Sequence, residues 1–171
     1  YYNLNFKKRN IFRGLENFEM NGRIGYEGVA AATELGSVYQ SVEAGINASI
    51  TFPQFLIPLK EETRYRFGRL NPRTKAQLGF NYTDRPEYKR SNTSFNYIYS
   101  WDNQRIRRFD FTFASLSIIN SVLRSDFADL LDSLYVYQGN TLKFSFDPSF
   151  VSSTGFAMSW NHKNYGNLEE S

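Results

Sequence analysis

Residues 42–58 read VEAGINASITFPQFLIP, a regular two-residue alternation that runs into a proline-flanked aromatic segment. Val42, Ala44, Ile46, Ala48, Ile50 and Phe52 fall on one face, and Glu43, Gly45, Asn47, Ser49 and Thr51 on the other. Successive side chains of a strand point to opposite sides, so the pattern predicts a strand with one apolar wall and one hydrophilic wall. Its length suits the roughly 9–11 residues of a tilted strand that crosses a bilayer. A sheet in water has the same period, so the neighbouring segments must decide between the two. Pro53 and Pro58 end the strand, because proline has no N–H to give to the ladder.

The same alternation recurs on both sides of this stretch. Tyr2, Leu4 and Phe6 oppose Asn3, Asn5 and Lys7. Phe18, Met20, Gly22, Ile24 and Tyr26 oppose Glu19, Asn21, Arg23, Gly25 and Glu27. Further on, Ala76 to Tyr82, Phe95 to Trp101, Phe109 to Phe113 and Phe156 to Trp160 repeat it, and Leu142, Phe144 and Phe146 predict one brief strand more. Leu116 and Ile118 lie on the opposite parity from Phe113, which predicts a bulge or a strand end. Phe127, Leu130, Leu131 and Leu134 have helical spacing, with Ser125 as the expected N-cap.

The connections complete the pattern. IFRGLEN (11–17) and 103–106 read as short turns, whereas GVAAATELGS (28–37), DRPEYKR (84–90) and the helix-bearing 120–154 read as longer loops. The segment 60–75, which ends in an Asn-Pro turn signal at Asn71 and Pro72, reads as irregular. Short turns on one side and long loops on the other, with the proline-linked insertion after Phe52 as the exception, predict an all-β, antiparallel up-and-down meander, part of a transmembrane barrel, with one short helix in a long loop.

Composition supports strands over helices. Aromatics are 18% of the 171 residues, yet the mean hydropathy is -0.51, as expected where one face is greasy and the other wet. No run approaches the roughly 18 apolar residues of a membrane helix, so a membrane would have to be met by strands. The absence of Cys removes disulfides, thiolate metal sites and thiol nucleophiles. A net charge of +3 with interspersed signs does not indicate nucleic-acid binding. Tyr1 begins inside an alternating segment, which reads as a mature or excised piece.

Few residues invite chemistry. His162 has no Cys or carboxylate neighbours at ligand spacing and reads as a surface or lumen residue. Asp126, Asp129 and Asp132 could share a helical edge, but they lack the dense ligand spacing of a calcium loop and read as a solvated face. Nucleotide-binding and triad-hydrolase motifs are missing, and the adjacent Glu61 and Glu62 point apart on an extended chain. The sequence therefore predicts neither an enzyme nor a cofactor or metal site. Arg64, Arg66, Arg69 and Arg73, interleaved with Tyr65 and Phe67, read as a basic rim at lipid head groups or a solvated loop rather than a nucleic-acid surface.

Alternation alone leaves open which face is inside, since a soluble lipocalin-like barrel has the same period with the faces exchanged. The hydrophilic wall favours a hydrated lumen, carrying Glu19, Arg23, Glu27, Glu43, Asn47, Asn81, Asn96 and Asp110 among glycines and serines. The expected lipid-facing residues are then Val42, Ile46, Ile50, Phe52, Leu78, Phe80, Phe95, Tyr97, Tyr99, Trp101, Phe109, Phe111 and Phe113.

TFPQFLIPL with its basic linker and NPRT, the RPEYKR loop, and a strand ending in YSW together resemble the barrel of a bacterial family. It is the outer-membrane assembly-factor family of Bacteroidetes-type bacteria, the BamA-type and TamA/TamL-type surface antigens. RNIFRGLENFEMNGRIGYEG is similar to that family's early hairpin, and FDPSFVSSTGFAMSWNHKN to a later segment. The resemblance implies early strands of a larger barrel in a Gram-negative outer membrane, with POTRA domains upstream and further strands downstream. It implies a role in inserting client barrels, with membrane lipid, client outer-membrane proteins and assembly lipoproteins as partners. It makes Phe52, Pro53, Phe55, Pro58, Asn71 and Pro72 a periplasmic motif and the helix-bearing loop extracellular, and it leaves edge strands that need partners. A passive pore or uptake barrel and a soluble lipid-binding barrel are the alternative readings. POTRA repeats upstream would exclude the pore.

Overall fold

A computed structural model describes residues 1–30, 38–58, 61–103 and 107–160. Among them, β1 (Tyr2–Arg9), β2 (Asn17–Ala30), β3 (Val38–Phe52), β4 (Arg73–Asp84), β5 (Tyr88–Asn103), β6 (Arg107–Leu123) and β7 (Ser149–Trp160) form one sheet. Each strand pairs antiparallel with its successor, so the all-β up-and-down meander is the observed architecture. Two helices interrupt it, α1 (Glu61–Gly68) between β3 and β4 and α2 (Ser125–Gln138) between β6 and β7.

The register keeps the two faces continuous across strands. Phe18 lies opposite Ile50, Ile50 opposite Ala76, and Ala76 opposite Tyr97. One row along, Glu19 faces Ser49, Ser49 faces Gln77, and Gln77 faces Asn96. A slip of one residue would move a strand's apolar set to the other side, so the in-register apolar rows are what fix this pairing. The parity change in β6 is a bulge and not a strand end. Tyr97 faces Ala114 and Ile98 faces Thr112, which leaves Phe113 as the extra residue, and β6 continues to Leu123. Beyond the bulge, Leu116 faces Phe95, so the apolar row is restored.

Apolar burial is scarce for a chain of this size. Among the described residues the buried hydrophobic side chains are Tyr99 and Leu131, whereas Leu78, Phe113 and Phe156 are 58%, 58% and 63% exposed. A water-soluble domain of comparable length hides roughly two thirds of the surface of its unfolded chain and builds its core from such residues.

Several local expectations are corrected. The segment 60–75 holds helix α1, built from the helix formers Glu and Arg and ended at Gly68; its lack of an apolar stripe hid it from a periodicity argument. DRPEYKR is not a long loop. Only 85–87 lie outside strands, closed by a hydrogen bond of 2.9 Å from Arg85 N to Tyr88 O, with Pro86 supplying the fixed φ of a turn. The insertion 53–72 leaves the end opposite to 124–148, as expected of the exception, but the short turn 85–87 shares its end with 124–148, so that end does not carry long loops alone.

Leu142, Phe144 and Phe146 lie in a 3₁₀-helix, Thr141–Phe146, begun where the Asn140 side chain accepts from Leu142 N at 2.9 Å. Ser125 is the first helical residue rather than the cap; Arg124 holds the N-cap position without a side-chain cap bond. β2, β3 and β7 are longer than their patterns suggested. The remainder of GVAAATELGS beyond Ala30, the connection 104–106, and His162 lie outside the described residues.

Candidate functional site: two faces and two insertions

The residues expected on each wall separate as the alternation requires. Val42, Ile46, Ile50, Phe52, Leu78, Phe80, Phe95, Tyr97, Tyr99, Trp101, Phe109 and Phe111 share one face by register, and Phe113, the extra residue of the bulge, joins it through its ring contact with Tyr97 at 6.4 Å. Glu19, Arg23, Glu43, Asn47, Asn81, Asn96 and Asp110 share the other. From Val42 to Phe52 the chain runs about 33 Å at roughly 3.3 Å per residue. At the tilt of about 35–45° typical of membrane strands this is a height of about 23–27 Å, which brackets the roughly 25 Å of a barrel's apolar band.

Side chains on the hydrophilic face bind one another across strands. Ser100 Oγ donates to Asp110 Oδ1 at 2.6 Å, Ser115 Oγ to Asn96 Oδ1 at 2.7 Å, and Ser117 Oγ to Asn92 Oδ1 at 2.8 Å. Glycine is required where these groups converge. A Cβ on Gly45 would lie 2.6 Å from Asn81 Oδ1, and one on Gly79 would lie 2.6 Å from both Asn47 Oδ1 and Ser94 Oγ. On the other face Leu4, Ile46, Leu78 and Phe80 are exposed. Crowded polar and uncovered apolar side chains are what a sheet curving toward its hydrophilic side presents.

The insertion 53–72 lies on the apolar face. The Phe55 ring meets Phe67, Tyr99 and Trp101 edge-on at centroid distances of 5.4, 5.7 and 6.1 Å. Thr74 fixes the loop there: fully buried, it donates to Gln54 O at 2.8 Å and accepts from Leu56 N at 3.1 Å. Leu70 O accepts from Asp102 N at 2.8 Å, tying the far end of the insertion to β5. Of the expected motif, Phe52 ends β3, Phe55 is the anchor, Pro58 borders an apolar groove, Asn71 takes a left-handed φ of 46°, and Pro53 and Pro72 flank the strands. Thr74 was invisible to alternation because it is a polar residue in an apolar row.

The insertion 124–148 lies on the hydrophilic face at the opposite end. Phe146 packs on Tyr88 at 5.2 Å and on Phe127 at 5.7 Å. Arg90 lies over the rings of Tyr88 and Phe146, donates to Ser121 Oγ at 3.0 Å and to Ser145 O at 3.4 Å, and so joins β5, β6 and the 3₁₀-helix. Within the insertion Leu131 is 2% exposed, and Gly139 in the left-handed region closes α2 through bonds to Tyr135 O and Leu134 O.

Charge differs between the two ends. The end that bears 53–72 carries Lys7, Lys8, Arg9, Arg13, Arg73, Arg107 and Arg108 beside Glu16, Glu19, Asp102 and Asp110, and the opposite end carries Glu27, Glu43, Asp84, Glu87 and the aspartates of α2 beside Arg85, Lys89, Arg90 and Arg124, so bases prevail at the first and acids at the second. Arg107 stands in the apolar row at the basic rim with its guanidinium 4.6 Å from the Trp160 ring. Among the described residues no group of three His, Cys, Asp or Glu side chains is placed to hold a metal ion. Comparison with protein-family models, curated proteins and solved structures gave no match.

Proposed function

We propose that the chain is part of the wall of an outer-membrane β-barrel, with its apolar face toward lipid and its hydrophilic face toward a hydrated lumen. The observation that carries this reading is the continuous apolar face of bilayer height, exposed or half-buried outside the patch that Phe55 covers, set back to back with a face of mutually hydrogen-bonded polar groups. The barrel's role is the folding and insertion of client barrel proteins, which rests on the resemblance of the FPQFLIP, NPRT and RPEYKR segments to outer-membrane assembly factors. Lipid and client strands are its partners. Non-enzymatic action suits such a role, because a barrel wall that eases insertion acts through shape and lipid contact.

Phe95→Arg, on the apolar face, tests the orientation against Asn96→Arg on the other. The first is expected to weaken insertion into lipid vesicles by about 2–4 kcal/mol while its hydrophilic-face counterpart inserts normally. A Phe95→Arg chain that inserts like the parent but loses its fold in water would instead place the apolar face inside a soluble barrel.

A further inference from the structure

Among the described residues, the segments 53–58 and 61–72 do not seal the apolar face where they cross it. Between them and the sheet runs a groove of about 590 Å³, walled by Phe55, Ile57 and Phe67 on one side and Trp101, Phe111 and Phe113 on the other. This volume is within the roughly 300–1,000 Å³ of ligand clefts, and its lining is almost wholly apolar. The groove borders the exposed apolar face at Phe111 and Phe113 and reaches Trp101 near the end of β5 that lies at the basic rim. There, Trp101 stacks on Phe109 at 5.3 Å, and Arg107 is the next residue along the same face of β6, braced over Trp160. An apolar slot that leads to a cation within an aromatic rim matches a molecule with a hydrocarbon tail and an anionic head.

We infer that the groove holds an acyl chain of an anionic glycerophospholipid drawn from the surrounding leaflet, with its phosphate at Arg107. The inference rests on the membrane orientation proposed above and adds a selective lipid site to it. Thr74 binds Gln54 O and Leu56 N on either side of Phe55, which fixes the backbone of the wall that bears Phe55 and Ile57.

The test uses Trp160→Phe, which keeps a ring beneath Arg107 and leaves Trp101 as the sole tryptophan of the two in the chain. The protein is inserted into phosphatidylcholine vesicles that carry a minor fraction of acyl-brominated phosphatidylglycerol. Trp101 is expected to be quenched as if the brominated lipid were enriched about fivefold, equivalent to ~1 kcal/mol for one basic side chain at an anionic surface. Unlabelled phosphatidylglycerol should reverse the quenching, and Arg107→Gln should abolish the enrichment while insertion persists. Quenching in inserted protein that only follows the bulk lipid fraction overturns the lipid site and leaves the membrane orientation standing. Failure of the protein to insert overturns both.

Discussion

The two long insertions of this sheet differ in almost every respect, and the difference follows from the faces they cover. The segment 53–72 lies on the apolar face and is held by the sheet itself, through the Phe55 ring cluster and the two hydrogen bonds of Thr74. The segment 124–148 lies on the hydrophilic face and is held mostly by itself, through Leu131 and the Phe127–Phe146 contact, with Arg90 and Tyr88 as its links to the strands. A loop over an apolar wall can bury its own apolar side chains against it, whereas one over a polar wall must bring its own core. Each insertion takes the chemistry of its surroundings.

The largest effect expected from this contrast is at Leu131. Leu131→Ala should cost the insertion 124–148 about 2–5 kcal/mol, because it removes its one fully buried apolar side chain. Hydrogen exchange should rise through α2 and the 3₁₀-helix while β4 and β5 keep their protection. Loss of protection in those strands as well would mean that the insertion supports the sheet, and the contrast would fail.

The complementary change is Thr74→Val, which keeps the shape but strands Gln54 O and Leu56 N. Leaving such groups without a partner costs about 1–3 kcal/mol each, less here because both lie near the surface. A net loss of 1–2 kcal/mol would speed exchange of the Leu56 amide by about 5–30-fold. Exchange in α2 should not change. An unaltered Leu56 amide would show that the Phe55 rings hold the loop without Thr74.

These insertions also mark where the sequence was readable. The strands were legible because one face is apolar and the other hydrophilic from strand to strand, so Val42, Ile46 and Ile50 repeat the same requirement. Even the bulge at Phe113 appeared as a parity change. What failed was local structure set by distant partners. Thr74 matters because Gln54 and Leu56 return to it, and no pattern within β4 announces that. Asp84 and Lys89 looked like loop residues through their charge and the adjacent proline, yet they pair across the hairpin at 3.5 Å, and Arg124 binds Asp84 at 2.9 Å. Leu142, Phe144 and Phe146 mimic a strand's period, but the Asn140 side chain bends the backbone into a 3₁₀ turn and directs Phe146 to Tyr88. The apolar groove was hidden for the same reason, since its two walls come from segments far apart in the chain.

The smallest expected effect concerns how the self-supported insertion is closed. Lys143 Nζ lies 2.6 Å from Asp132 Oδ1 and joins the 3₁₀-helix to α2. The hydrogen bond to Asp132, followed by its charge, raises the Lys143 pKa above the ordinary lysine value. A base whose pKa rises on folding contributes stability that is complete below its unfolded value and is lost as pH rises through the folded one. The lysine side of the link is therefore constant across neutral pH and weakens as pH rises above the usual lysine range of about 10.4. It is exposed, so salt should weaken it too. Following the Lys143 side chain by NMR should show its titration displaced upward, and Asp132→Asn should return it to the ordinary range. If Lys143 titrates identically with and without the Asp132 carboxylate, the pair does not close the insertion, and that task falls to the Tyr135–Phe144 ring contact at 5.6 Å.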